Sequence, residues 1–231
     1  MRYKILIVCI VFVLPVAAQE NYTLFFEPEI KLEYRISSKY SHSFGIENRN
    51  FVYNDATYNF SIKHLEFSHT SEYALNSNQS LAVGIQYRFE KNFKPTEENE
   101  FRFLQAFEWG IDKTLFSMEQ KIRTEQRFYS STSKYRLRYE LGLTFPLNRS
   151  NRALNNVEKN TVYIKAETET LFEIAKTQKP ELEQRLSSVF GWQFGSSTGF
   201  EIGLQYRLAD YTQNIGHELF LITGVEIELK R

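Results

Sequence analysis

The chain has 231 residues, with 28 Lys or Arg balanced by 28 Asp or Glu, so its formal charge is zero. That balance leaves no electrostatic footprint for nucleic acid, and no nucleic-acid partner is expected. An aromatic share of 16%, carried by 20 Phe and 14 Tyr, excludes disorder. A mean hydropathy of -0.43, with no run of ~20 apolar residues after the first eighteen, excludes a helical membrane bundle.

Residues 1–18 read as a secretory leader. Arg2 and Lys4 are the positive n-region, 5–14 the apolar run, and Val16-Ala17-Ala18 the small-residue cleavage signal before Gln19. Cys9, the one cysteine, lies within the apolar run behind Val8, which does not fit a lipid-attachment site. The mature chain, 19–231, is read as one domain; without Arg2 and Lys4 it keeps 26 basic against 28 acidic residues, a net −2. An exported chain without cysteine fits a bacterial envelope protein better than a disulfide-stapled secreted domain. Triplets of the sugar-acceptor type begin at Asn21, Asn59, Asn78 and Asn148, and in an Asn- and Ser-rich chain they read as chance matches.

Period-2 alternation then runs to the end of the chain. Residues 22–36 keep Tyr22, Leu24, Phe26, Ile30, Leu32, Tyr34 and Ile36 on one face and Glu27, Glu29, Lys31, Glu33 and Arg35 on the other. Segments 40–53 and 56–75 are noisier, and the second changes phase at Lys63-His64, the mark of a β-bulge. Segments 81–89 and 101–111 follow. In 115–128, Phe116, Met118, Ile122 and Phe128 oppose Glu119, Lys121, Arg123, Glu125 and Arg127. In 134–145, Tyr135, Leu137, Tyr139, Leu141, Leu143 and Phe145 oppose Lys134, Arg136, Arg138 and Glu140. Segments 162–174, with Glu167 and Glu169, and 182–194, with Glu183 and Arg185, continue the pattern. In 200–208, Ile202, Leu204 and Tyr206 oppose Glu201 and Arg207, and 219–229 closes the series.

Eleven strands are recognisable, separated by short polar turns and by longer connections at 94–99, 148–160 and 210–217. Alternation alone fits a soluble β-barrel or sandwich as well as a membrane barrel. Strands of about 12–15 residues exceed the ~5–6 usual in soluble sheets and suffice for a tilted span of ~9–11. Aromatics gather near strand ends on the apolar face, among them Phe101, Trp109, Phe190, Trp192 and Phe194, as rings at a headgroup boundary do. The expectation is an all-β, single, closed, antiparallel transmembrane barrel of twelve strands, or ten, because single-chain bacterial barrels have even counts. Short turns are expected on one rim and longer loops on the other. A soluble periplasmic barrel is the alternative.

Two segments carry a family likeness: Tyr135-Arg136-Leu137-Arg138-Tyr139-Glu140-Leu141-Gly142-Leu143-Thr144-Phe145-Pro146-Leu147 after Glu125-Gln126-Arg127-Phe128, and the paired echoes at 81–89 and 200–207. The chain resembles the domain-of-unknown-function family 2490, small outer-membrane barrels of Gram-negative bacteria with no assigned activity. The resemblance covers nearly all of the mature chain and implies a barrel at the outer membrane, in contact with its lipid, with no catalytic residue to transfer. The chain departs from the outer-membrane habit in ending Glu228-Leu229-Lys230-Arg231, without a terminal aromatic.

If the apolar face meets lipid, then Phe116, Met118, Ile122, Tyr135, Leu137, Tyr139, Leu141, Leu143, Phe145, Ile202, Leu204 and Tyr206 are lipid-facing. Glu119, Lys121, Arg123, Glu125, Arg127, Arg136, Arg138, Glu140, Glu167, Glu169, Glu183, Arg185, Glu201 and Arg207 would then line the lumen. Their expected role is structural, Arg–carboxylate pairs filling the interior; a narrow solute channel is the alternative. A third reading is a lipid hydrolase using His69 and Ser71, with His42-Ser43 as the other His/Ser pair and Glu66 or Glu72 near the first. On one strand His69 and Ser71 lie ~7 Å apart, too far for a direct hydrogen bond. No nucleophile elbow, thiolate site or phosphate loop is present, His64 and His217 form no metal set, and no cofactor or metal is expected. A monomer is favoured.

Overall fold

A computed structural model describes residues 22–54, 56–113, 115–148, 161–176, 178–195 and 197–230. The expected leader, Cys9 and Asn21 lie outside these. The strands are β1 (Tyr22–Arg35), β2 (Tyr40–Asn54), β3 (Thr57–Asn76), β4 (Gln79–Phe89), β5 (Glu100–Asp112), β6 (Ser117–Phe128), β7 (Ser133–Pro146), β8 (Val162–Ala175), β9 (Gln178–Phe194), β10 (Thr198–Ala209) and β11 (Gly216–Lys230). Each tracks one of the alternating segments. Among the described residues there is no helix.

The eleven strands form one closed barrel, each hydrogen-bonded to its chain neighbours and β1 to β11. The ten hairpin contacts are antiparallel. The closing contact is parallel and regular from Tyr22↔His217 to Arg35↔Lys230. The twelfth strand demanded by even parity is therefore absent among the described residues. The even-number rule holds where first and last strands meet antiparallel; a parallel seam satisfies the same edges with an odd count.

The antiparallel meander sends successive connections to alternate rims. The lower rim, where β1 begins, carries the connections at 55–56, 90–99, 129–132, 176–177 and 210–215; the upper rim carries 36–39, 77–78, 113–116, 147–161 and 195–197. Each rim mixes short turns with a long connection, so the expected division into a trimmed and a decorated rim does not hold. The lower connections are tied to one another and to the wall. Ser131 donates to Glu98 from its N–H and its hydroxyl at 3.1 Å each. With Ser130, these bonds hold the Glu98 carboxyl below the usual carboxylate range. Gln213 donates to the carbonyl of Pro180 at 3.1 Å.

The bulge read at Lys63 is present: Arg49 pairs with His64 and Asn50 with Ile62, leaving Lys63 as the extra residue of β3. Both Lys63 and His64 are thereby released from strict alternation. His64 is fully buried. The Lys63 ammonium sits 5.2 Å from the Phe25 ring centre, a cation–π contact. At Gly191 the opposing Tyr163 ring fills the space a side chain would need, the aromatic cover that strand glycines commonly receive.

Burial follows the pleat. Tyr135, Leu137 and Tyr139 of β7 are 54%, 48% and 41% exposed, whereas the intervening Arg136 and Arg138 are turned into the barrel. The parallel seam makes a testable prediction. In a Cys9→Ser background, Ile30→Cys with Val225→Cys, residues paired across β1 and β11, should form a disulfide detectable by mass spectrometry. A further strand between them would hold the two sulfurs ~10 Å apart and prevent it.

Candidate functional site

The inward phase of every strand feeds a lattice of ion pairs in the lower half of the lumen. Glu125 of β6 is its centre, with a fully buried side chain: Arg123 and Arg138 reach its Oε1 at 3.0 Å each, and Arg102 its Oε2 at 3.8 Å. Arg136 lies 4.0 Å from the same oxygen. Arg138 also donates through Nε to Glu169 at 2.5 Å, and Glu169 accepts from Arg185 at 3.2 Å. Arg136 and Lys134 converge on Glu173 at 2.6 Å and 2.9 Å, joined there by Arg127. Arg127 then grips Glu100 with a two-pronged contact, Nε at 2.6 Å and Nη2 at 2.8 Å.

Glu100 passes the lattice to Arg102 at 2.9 Å and Arg88 at 3.6 Å, and Arg88 to Glu66 at 2.7 Å. On the other side Arg207 bridges Glu183 at 3.1 Å and Glu218 at 3.4 Å. The ring closes through aromatics instead of ions. The Phe220 ring lies against two guanidinium groups, Arg207 at 4.2 Å and Arg49 at 4.9 Å, and stacks on Phe25 at 4.7 Å. Arg49 pairs with Glu27 and Glu47. Guanidinium groups shared between carboxylates put planar forks against paired oxygens, although Glu125 Oε2, Arg123 Nε and Arg207 Nε make no hydrogen bond and are held by charge alone.

Nine of the fourteen residues read as lumen charges stand in this lattice: Arg123, Glu125, Arg127, Arg136, Arg138, Glu169, Glu183, Arg185 and Arg207. The other five, Glu119, Lys121, Glu140, Glu167 and Glu201, point inward nearer the upper rim. There Lys121 pairs with Glu108 at 2.7 Å, Lys165 with Glu167 at 2.6 Å, and Tyr163 donates to Glu201 at 2.6 Å. The inner wall of β2–β5 at that level carries Ser43, Gly45, Ser68, Thr70, Gly84 and Ala106. The upper half is therefore a cup with an acidic wall facing a wall of small residues. A crevice of about 180 Å³ opens at its edge between Glu72, Glu108 and Glu119.

Sequence reasoning missed Glu66, Arg88, Glu100, Arg102 and Arg49 as lattice members, although the first four fall on the polar phase of their strands. It also missed Phe25 and Phe220, which interrupt that phase and close the ring.

The twelve residues read as lipid-facing project outward. Seven of them, Ile122, Tyr135, Leu137, Tyr139, Phe145, Ile202 and Leu204, are among the exposed large apolar side chains. The outward polar groups are bonded to one another: Thr124 donates to Gln105 at 2.7 Å, Tyr139 to Gln120 at 2.8 Å, and Gln184 to Thr168 at 2.8 Å.

His69 and Ser71 also face outward, and the structure supplies the partner that sequence could not. His42 of β2 is in register with Ser71; Ser71 Oγ lies 2.9 Å and His69 Nε2 3.1 Å from the same atom, His42 Nδ1. Glu66 and Glu72 play no part, because they sit on the inner phase of β3, Glu66 accepting from Gln86 and Arg88. His64 and His217 lie apart, the first beside Glu47 at 3.3 Å inside, the second accepting from or donating to Tyr206 at 2.7 Å outside.

Glu125 is the group on which the lattice turns. Glu125→Gln strips the counter-charge from a buried site and leaves up to four inward guanidinium groups, Arg102 the most buried of them, short of a partner, and is expected to cost about 3–5 kcal/mol. Glu108→Gln, which removes a pair whose side chains are 34% and 35% exposed, should cost ~1 kcal/mol or less. Urea titration of the folded gel band measures both.

No curated protein and no solved structure matches the chain. A family model described as protein of unknown function, DUF2490, matches residues 28–217. Over that span lie most of the barrel wall and the lattice it encloses, and the chain belongs to this family.

Proposed function

We propose that the protein is an outer-membrane barrel with a structural role, its lumen sealed by the ion-pair lattice, and that it reaches the membrane after removal of residues 1–18. The observation that carries this reading is the inversion of the two faces. Ionic side chains fill the interior while large apolar side chains cover the outside from Tyr34 and Phe145 to Tyr87 and Tyr135. A water-exposed barrel gains by the opposite arrangement, burying its greasy face.

Two further features support it. Aromatic rings gather outside at both ends of the wall: Tyr34, Tyr73, Trp192 and Phe194 toward the upper rim, Tyr58, Tyr87, Phe101 and Phe128 toward the lower. Such girdles suit the headgroup zones of a bilayer. Outward Gln and Thr side chains satisfy one another across strands, which hydrocarbon demands and water does not. Strands of 11 to 20 residues are long enough for a tilted crossing.

A conducting pore needs a continuous water path. The lattice runs around the inner wall from Glu66 to Glu218, each pair joining strands one or two apart, Phe25 and Phe220 complete the circuit, and in this reading the long inward side chains of the ring fill the space it encloses. The acidic cup above it is then a blind vestibule. Expressed in a Gram-negative host, the chain should sediment with the outer membrane and run faster unboiled than boiled, as closed barrels do; recovery in osmotic-shock fluid would favour the soluble alternative. In planar bilayers the purified protein should be electrically silent. Stable ohmic steps, altered by Arg123→Ala or Arg136→Ala, would replace the sealed barrel with a channel.

A further inference from the structure

We infer that Ser71 and His42 form a serine acyl-hydrolase site on the outer wall, with His69 as the positioning residue and the acyl ester of a membrane glycerolipid as substrate. The inference rests on the proposed membrane location. The observation behind it is the hydrogen-bonding contact of 2.9 Å between Ser71 Oγ and His42 Nδ1, made across two strands on the outward face. A hydroxyl within reach of an imidazole that a third group orients is the arrangement of an activated nucleophile.

His69 supplies that third group. Its Nε2 stands 3.1 Å from His42 Nδ1 and its ring stacks on the His42 ring at 5.1 Å, while Tyr40 meets the other side edge-on at 4.9 Å. In the tautomer that leaves His42 Nδ1 and His69 Nε2 both without a proton, Ser71 donates to His42 Nδ1 and the His69 lone pair has no proton to accept. Once the hydroxyl proton moves to Nδ1, the new N–H can be given to His69 Nε2. The arrangement thus favours the state in which Ser71 has lost its proton, the state that catalysis must reach.

Depth selects the substrate. The next outward pair toward the upper rim is Tyr40↔Tyr73, and His42 is in register with Tyr34 on β1. Tyrosines of a girdle sit at headgroup level. Two residues further down a tilted strand is a descent of ~5 Å, which brings the serine to the glycerol and ester carbonyls just beneath. Below it the exposed Phe44, Ile46, Phe67 and Ile85 offer an apolar wall for the acyl chain. Ser71, His42 and the positioning His69 are all half-buried, open on the outward side.

The reaction balances in two steps. Ser71 Oγ bonds to the acyl carbon as its proton passes to His42, and the ester C–O bond breaks as that proton goes to the departing glycerol oxygen. Water then adds to the acyl-serine, giving its proton to His42, and the fatty acid leaves as Ser71 Oγ takes the proton back.

The test uses the full chain refolded into phosphatidylethanolamine–phosphatidylglycerol vesicles, with insertion read separately by gel mobility. Wild type should release fatty acid and take up a fluorophosphonate probe at Ser71. Ser71→Ala should abolish both, and His42→Ala should slow both by about a hundredfold or more. His69→Gln, which keeps a hydrogen-bonding side chain, should fall less than His69→Ala if positioning is its role. Thr70→Ala, on the inner face, should change neither. An inserted wild type that neither cleaves nor labels overturns the inference and leaves the barrel reading standing, as does cleavage that survives Ser71→Ala. A chain that stays outside the bilayer sinks the membrane reading and the lipid substrate with it.

Discussion

A closed ring of eleven strands encloses a space that its own inward side chains must fill, and in this chain those side chains are arginine and glutamate. Taking a carboxylate such as Glu125 out of water costs several kcal/mol unless partners replace its hydration. Four guanidinium groups around it, each shared with a second carboxylate, supply that replacement. The lattice also fixes registration. A slip of one residue along β6 or β7 would turn Ile122 or Leu137 inward and Arg123 or Arg138 outward, so the wrong alignment carries both a stranded charge and a lost contact. Removing one member is therefore far more damaging than the modest net worth of any single pair.

The outer wall obeys the same accounting with opposite chemistry. Where it carries polar atoms, they are tied across strands, as Gln105 with Thr124 or Gln184 with Thr168. The trio His42, His69 and Ser71 differs from these in having two neighbours directed at one ring nitrogen. An amide bonded to a hydroxyl is spent; a ring nitrogen addressed from two sides can serve only one of its neighbours at a time.

The strands and their faces were legible because alternation is a local signal, and even the bulge at Lys63 showed as a change of phase. Parity was not legible. Nothing in residues 22–35 or 216–230 distinguishes a parallel partner from an antiparallel one, since both require the same outward row of Leu and Ile. Arg88, Glu100 and Arg102 stood on the readable polar phase of their strands. The Phe25–Phe220 stack and the Ser71–His42 contact depend on which residues face one another across strands, and pattern within one strand carries no register between two. Glu66 and Glu72 looked adjacent to Ser71 in sequence, yet an odd separation along a strand puts them on the opposite face.

The parallel seam joins residues 195 positions apart, Tyr22 with His217. All other strand contacts join neighbours in the chain and can grow by zipping hairpins. β1 alone has to hold an unsatisfied edge until the last strand has been made and carried around the ring, and loop-closure entropy opposes that meeting. Assembly of this barrel thus has a latch, and any chaperone or membrane machinery that helps it must shelter the first strand's bare edge for as long as the rest of the wall takes to form.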